Sequence, residues 1–415
     1  MEKAYAVYAG PDGEIGIDEE RLALGASGDQ WAELTMDSLV PLPPEADLFL
    51  LPGRRPAGLN RQSGRHELLP GEERTAVAAG VPPGYTRLFL PAYRPLPSAP
   101  HLPLFGYTAV AAVNGRLFIA AQKTDEAPAG WQLRTRETRK IPALVKKKLA
   151  AHPENRILKQ LAHCTLVYKC LTARNIFLGR GEGGVPVSSS CNARCLGCIS
   201  LQPAECCPSP QERIAFQPSV EEIVEVAVPH LQAGKTIISF GQGCEGEPLT
   251  VWPRLVRAVE RIRRYTGAGT ININTNGGIP EGLEALAGAG LNSARISLLS
   301  ALPGSYQRYH RPQNYSLDQV GQSIDRLGAA GVFISLNLLV MPGFTDRREE
   351  MAALFKWLRR HPVDMIQLRN LNIDPDWFWR VMGPASGPAA GISRFCAELK
   401  KEFPGLLVGN FNRPL

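Results

Sequence analysis

The second half of the chain alternates between two hydrophobic periods. Apolar and β-branched residues run together, or fall at every second position, at 184–189, 235–240, 269–275, 293–299, 332–340 and 363–371. Between these runs, at 219–232, 251–265, 280–289, 316–330 and 346–360, apolar residues recur three and four apart. The first pattern predicts strands and the second predicts helices. Ser219 with Glu222 three residues on is the signature of a capped helix start, and Gly234, Gly267, Gly290 and Gly331 fall where helices should stop. Strand–helix alternation implies parallel strands joined by helical crossovers. The expected fold is therefore α/β, a partial (β/α)6 TIM-like barrel open at one side. In such barrels the chemistry sits at the C-terminal ends of the strands.

The pattern before residue 183 differs. Short apolar runs at Ala4–Tyr8, Ala46–Leu51, Arg87–Leu90 and Arg116–Ala121 sit between Gly and Pro turns, which predicts a β-rich region. Pro82, Pro83, Pro91, Pro95, Pro97, Pro100 and Pro103 crowd one stretch and argue against long regular elements there. Helical spacing returns at Ile141–Leu149 and Arg156–Leu178. The expected organisation is an N-terminal β-rich domain (1–135), a helical connector (136–182), a core barrel (183–375) and a C-terminal helix-and-strand extension (376–415).

With 415 residues, 44% hydrophobic and 20% charged, the chain has the composition of an ordinary globular protein. No apolar run approaches the ~18–20 residues of a membrane helix, and Met1-Glu2-Lys3-Ala4-Tyr5 has no signal-peptide pattern. A cytoplasmic location is expected, and with it nine cysteines that serve as thiolates rather than disulfides. The net charge of +7 and the run Lys146, Lys147, Lys148 permit a nucleic-acid partner, although a solvated helix face accounts for them more simply.

The first core strand runs into Cys191-Asn192-Ala193-Arg194-Cys195-Leu196-Gly197-Cys198. Three thiolates so close can hold one corner of a cubane cluster and leave the fourth iron without a protein ligand. A structural zinc site normally takes four ligands, and Cys206 or Cys207 stands near enough to supply one. The three cysteines alone leave both metals open; the strand–loop context and the motifs downstream favour iron–sulfur.

The spacing Cys-x3-Cys-x2-Cys resembles the signature of the radical S-adenosylmethionine (radical SAM) superfamily, over roughly residues 183–375. The resemblance implies a [4Fe–4S] cluster on Cys191, Cys195 and Cys198 whose open iron chelates S-adenosylmethionine. It further implies an external one-electron donor such as flavodoxin or ferredoxin, an oxygen-sensitive centre, and reductive cleavage to a 5′-deoxyadenosyl radical that takes hydrogen from a substrate the sequence does not disclose. A radical methyltransferase or a glycyl-radical activating enzyme is the alternative within the class, and a zinc-containing nucleic-acid-binding protein the alternative outside it. The family usually carries an aromatic residue before the last cysteine; here Gly197 stands there, so shielding is expected from Leu196 or from the N-terminal region.

Further segments extend the resemblance. Gly246-Glu247-Pro248, after the second strand, is similar to the family's Gly-Gly-Glu-Pro segment, which implies that Glu247 meets the cofactor's ammonium group. Asn272, Asn274 and Asn276 alternate along the third strand and predict a polar barrel interior; Thr275-Asn276-Gly277 is similar to the family's TNG. Asn274, Ser297 on the fourth strand, and Asn337 and Met341 on the fifth complete the expected cofactor-binding set, although the GxIxGxxE motif is absent. Arg308, His310, Arg311 and Arg369 are candidates to meet an anion. Cys164, Cys170, Cys206 and Cys207 could host a second metal centre, and Cys244 reads as a buried structural thiol.

Overall fold

The computed structural model describes residues 2–126, 128, 135–202, 207, 209–384 and 388–415. Seven parallel strands pair in sequence order: β1 (Glu182–Gly184), β2 (Ile237–Phe240), β3 (Thr270–Thr275), β4 (Ser293–Leu298), β5 (Phe333–Val340), β6 (Met365–Asn370) and β7 (Leu407–Gly409). Helices Val220–Gln232, Trp252–Tyr265, Pro280–Ala289, Leu317–Ala329 and Arg348–Leu358 follow β1 to β5 as expected. The alternation along each strand explains why the sheet curls. Ile271, Ile273, Ala294, Ile296, Leu336 and Leu338 pack outward on helix residues such as Leu255, Leu283 and Val320. Asn272, Asn274, Arg295, Ser297, Ser335, Asn337, Gln367 and Arg369 occupy the alternate positions and face inward. Polar residues on that face keep the interior open to a ligand instead of filling it with core.

One helix goes beyond the periodicity, and the strand expected in the C-terminal extension joins the sheet. Helix Pro303–His310 stands between β4 and the next crossover, and β7 comes from the C-terminal extension. Both are too short for a reliable hydrophobic period. The first strand is also shorter than the expected 184–189. The chain leaves the ladder after Gly184 because the N–H groups of Val187 and Ser188 bond the carboxylate of Glu245 instead.

The connector helices lie against the β1 side. Asn155 caps Arg156–Leu166 and bonds the Glu222 carbonyl oxygen of helix Val220–Gln232. Ser219 and Glu222 form the expected capping box. The expected helix at Arg156–Leu178 is broken by Lys169, whose φ of 57° lies in the left-handed region, into Arg156–Leu166 and Leu171–Leu178.

The N-terminal region is an antiparallel β structure built around the long strand Ile15–Ser27, which pairs with Tyr5–Ala9, Gln30–Glu33, Arg54–Asn60 and Leu90–Pro91. It docks on the loops at the C-terminal ends of β5 and β6. Ala26, Leu90 and Leu104 share an apolar cluster with Leu196, Tyr309, Met341 and Leu371. Arg87, fully buried, donates to the carbonyls of Val340 and Leu371 at 3.1 and 2.9 Å. Arg54 donates to Asp374 and Asp376 at 3.1 and 2.9 Å, with only 2% and 3% of the Arg54 and Asp374 side chains exposed.

Removing one partner of such a buried pair strands the other charge, at a cost of about 3–5 kcal/mol. Asp374 also accepts the N–H of Leu102 and caps helix Pro375–Met382. Arg54→Ala should therefore lower stability by about that amount, measured by urea unfolding. A loss below about 1 kcal/mol, the range of exposed pairs, would show that the interface does not depend on this pair.

Candidate functional site

A cavity of about 470 Å³ opens at the C-terminal ends of the strands. The cysteine loop after β1 forms one wall, with Cys191, Cys195 and Cys198 all lining it. The turn Gly241–Glu247 after β2 forms the next, followed by Asn274, Thr275 and Asn276 of β3. Arg295 and Ser297 of β4, Asn337 of β5 and Arg369 of β6 line the far side.

The glycine turn fixes the cysteine loop through its backbone. Gly246 and Glu247 donate their N–H groups to the carbonyls of Ser188 and Ser190, both at 2.8 Å. The approach is so close that a Cβ on Gly246 would fall 1.9 Å from the Ser190 oxygen. Gly241 has φ of 80°, and a Cβ there would lie 1.8 Å from the Asn274 carbonyl. Glycine is thus required at both positions.

Glu245 completes the brace. One of its oxygens accepts from Val187 and Ser188, the other from Gly241 and Gln242, at 2.6 to 3.1 Å. Burial pushes this carboxyl up to about 7, and the four N–H donors oppose the shift. Sequence reasoning passed over Glu245; its place inside the Gly-rich turn was the only signal.

Glu247 is also buried, and burial pushes it up to about 7. Its Oε1 accepts from Leu249 N–H and from Thr275, and its Oε2 accepts from Asn276 N–H at 2.8 Å. The second oxygen keeps acceptor capacity on the cavity side. The residue therefore links the turn after β2 to the end of β3 while lining the cavity.

Two of the thiols are desolvated. Burial, with the nearby Glu247 carboxylate, pushes Cys191 up to about 11; burial and the other two thiols push Cys195 up further. Such groups ionise only beside a compensating cation. Arg213 lies 3.8 Å from the Cys198 sulfur, and Ser200 lies 3.6 Å from it. His310 accepts the Leu299 N–H at Nε2 (3.2 Å), so its proton sits on Nδ1, 3.6 Å from the Cys195 sulfur. Arg213 and Ser200 carried no motif and went unnoticed in the sequence.

Gly197 is shielded from an unexpected quarter. The hydroxyl of buried Tyr309 lies 3.0 Å from where its Cβ would be, so this ring from helix Pro303–His310 fills the space a side chain at 197 would take. Leu196 contributes to the apolar cluster behind it.

The remaining candidates divide. Gly246, Glu247, Asn274, Ser297, Asn337, His310 and Arg369 line the cavity. Pro248 is buried at the start of the turn Pro248–Val251 and does not line it. Met341 is fully buried in the interface with the N-terminal region, where its sulfur accepts from Arg87 at 3.4 Å, and does not line the cavity either. Arg308 and Arg311 are exposed. Asn272 is satisfied within the barrel by Ser239, Ser293 and Asn274. Cys164 packs in the barrel core and Cys207 in the separate cluster around Tyr309, while Cys206 lies outside the described residues. Cys244 is buried.

Residues 185–355, which contain all three loop cysteines, match the family model described as the radical SAM superfamily. Residues 185–355 are thus a radical SAM domain. The chain is similar to GTP 3′,8-cyclase of Alkaliphilus oremlandii (strain OhILAs), 29% identical over 199 residues, 46% of this chain and 58% of that protein. It is also similar to the mitochondrial GTP 3′,8-cyclase of Arabidopsis thaliana, 27% identical over 183 residues, 44% of each chain. The chain thus spans about half the length of these curated relatives. Among solved structures, methylornithine synthase aligns over 66% of this chain and 78% of its own at 14% identity, with a TM-score of 0.36. The domain makes this an enzyme of the radical SAM class, and the class implies an iron–sulfur cluster and S-adenosylmethionine. No helix among the described residues is long and apolar enough to cross a membrane.

The donor set fits such a cluster. The three sulfurs face one cavity, while among the described residues no three His, Cys, Asp or Glu side chains converge on a single ion. A polynuclear cluster needs one sulfur per iron, not convergence on one point. The His310 contact then predicts a property of the loaded protein. N–H donors to ligating sulfur favour the reduced state. In a potentiometric titration, His310→Phe should lower the reduced-to-oxidised ratio at a fixed poise by about tenfold, equal to about 59 mV for one electron. His310→Asn, which keeps an N–H near Nδ1, should restore most of it. Equal potentials in all three proteins would show that the contact has no such effect.

Proposed function

We propose that this radical SAM enzyme holds a [4Fe–4S] cluster on Cys191, Cys195 and Cys198 and reductively cleaves S-adenosylmethionine in the cavity. When bound, the cluster and cofactor supply a 5′-deoxyadenosyl radical that abstracts hydrogen from a substrate. The observation that carries this reading is the placement of all three thiols in one cavity with the Gly241–Glu247 turn and the β3 to β6 ends. The chain's own residues bind, orient and exclude water. Glu245 and Gly246 fix the loop, Glu247 accepts from the cofactor's ammonium group, and Asn274, Ser297 and Asn337 offer hydrogen bonds to its polar edges. The N-terminal region, packed on the β5 and β6 loops, closes the side of the barrel and limits water near the radical. The electron comes from an external carrier such as flavodoxin or ferredoxin.

The test is product identification after anaerobic reconstitution, reduction with dithionite and addition of S-adenosylmethionine. 5′-Deoxyadenosine with methionine supports the reading. S-adenosylhomocysteine as the product would instead indicate methyl transfer, and zinc without iron or sulfide would overturn the assignment of the metal. Nothing in the geometry singles out the GTP cyclisation named for the relatives.

For Glu247 the conservative variant is informative. Glu247→Gln removes the charge but keeps an oxygen for Leu249 and Thr275. A charge-assisted hydrogen bond is worth roughly 1.5–3 kcal/mol, so S-adenosylmethionine affinity should fall about tenfold to a hundredfold with the cluster retained. Unchanged affinity in a cluster-loaded variant would remove Glu247 from the cofactor site.

A further inference from the structure

Arg295 and Arg369 enter the cavity from β4 and β6, and no motif assigns them a partner. Among the described residues no carboxylate lies within ion-pair distance of either side chain, whereas Arg54, Arg156 and Arg180 are all paired. Their one shared acceptor is the neutral Oε1 of Gln367, 3.3 Å from Arg295 Nη1 and 2.9 Å from Arg369 Nη2. The buried Nε of Arg295 has no hydrogen-bond partner.

The arrangement is held rigidly. Gln367 is aimed by its own amide, which donates to Asn412 at 2.7 Å and Ser335 at 3.4 Å. From farther away Glu182 favours both charges and Asp125 that of Arg369. Neither is within ion-pair distance: Glu182 accepts from Ser239 and Asn412 through Oε1, and Asp125 from the N–H groups of Asn410 and Phe411 through Oδ2. Burial lowers both arginines from their ordinary range, Arg369 to about 9. Two desolvated cations sharing one neutral acceptor are unfavourable unless an anion joins them.

We propose that the substrate enters the cavity with an oxyanion, a carboxylate or a phosphate, that is held between Arg295 and Arg369. This rests on the reading of the cavity as a radical SAM active site. Guanidinium forks match the planar, bidentate geometry of both oxyanions. Arg369 stands three strands from β3 and four from β2, which carry the groups assigned to the cofactor's ammonium, whereas Arg295 stands beside β3 in register with Asn274, so the pair reaches from the cofactor's edge to the far side of the cavity. A cavity of about 470 Å³ is large enough for a small organic anion.

The test uses the full-length, reconstituted protein saturated with S-adenosylmethionine and kept unreduced. Pyrophosphate and, in a separate arm, succinate are titrated calorimetrically at constant ionic strength. At least one should bind, and the stronger identifies phosphate or carboxylate as the substrate's anion. Arg295→Gln and Arg369→Gln should each weaken that binding at least tenfold. Arg369→Lys, which keeps the charge and is the fallback if a Gln variant fails to fold, should weaken it by at least threefold. Absence of binding by both anions, or binding unaltered in the variants, overturns the proposal. A tenfold loss of S-adenosylmethionine affinity in either Gln variant also overturns it, because the arginines would then serve the cofactor's carboxylate. Failure of the underlying reading is visible beforehand, as wild-type protein that holds no iron or binds no S-adenosylmethionine.

Discussion

Replacing Cys191, Cys195 and Cys198 together by alanine is expected to remove the iron and sulfide of the reconstituted protein, from about four of each per chain to background, while leaving the chain folded. The expectation rests on where the three residues sit. They belong to a loop outside the strand ladder and line the cavity, with Cys191 and Cys195 only partly buried against the apolar core that joins sheet to helices. Removing them deletes the thiolates while the barrel's packing stays in place. Replacing them also removes Cys191 and Cys195, whose ionised forms burial disfavours. Iron and sulfide assays with circular dichroism check both halves. Iron retained in the triple variant would place the cluster elsewhere; an unfolded chain would mean that the loop is part of the core.

Gly246→Ala should nearly abolish cluster retention with no change to any ligand. The added methyl group would sit 1.9 Å from the Ser190 oxygen and 2.5 Å from its carbonyl carbon, both backbone atoms that no rotamer can move aside. Overpacking typically costs about 1–3 kcal/mol, and here relief requires separating the turn from the loop that leads into Cys191. The two hydrogen bonds from Gly246 and Glu247 would be lost with it. Gly288→Ala is the control: it lies in helix Pro280–Ala289 and its Cβ would meet nothing within 4 Å. It should be neutral or stabilising by up to about 1 kcal/mol. Iron per chain after gel filtration, compared between the two variants, decides the matter. Equal iron in both would show that the turn does not hold the loop.

Hydrophobic period revealed the barrel because each strand from β2 to β6 is flanked by a helix long enough to show one. It failed for helix Pro303–His310, of eight residues, and it did not show that the strand expected in the C-terminal extension, of three residues, joins the sheet as β7. The cysteine loop, Glu247 and the polar face of β3 were legible because their spacing is local. Tyr309, His310's contact with Cys195, Arg213 and the isolation of Arg295 were not, because each depends on residues distant in sequence brought together by the crossovers. Met341 shows the converse. Its position at the end of β5 suggested the cavity, but the docking of the N-terminal region, through Arg87, turns that end into an interface.

The most direct test of the central claim is the electron paramagnetic resonance spectrum of dithionite-reduced, reconstituted protein recorded with and without S-adenosylmethionine. A cluster on Cys191, Cys195 and Cys198 has one iron without a protein ligand, and occupation of that iron by the cofactor should change the g values. Glu247→Gln should need about tenfold or more S-adenosylmethionine to produce the same change. A spectrum that S-adenosylmethionine leaves unaltered, from protein with full iron and sulfide, would show a closed cluster and contradict the account.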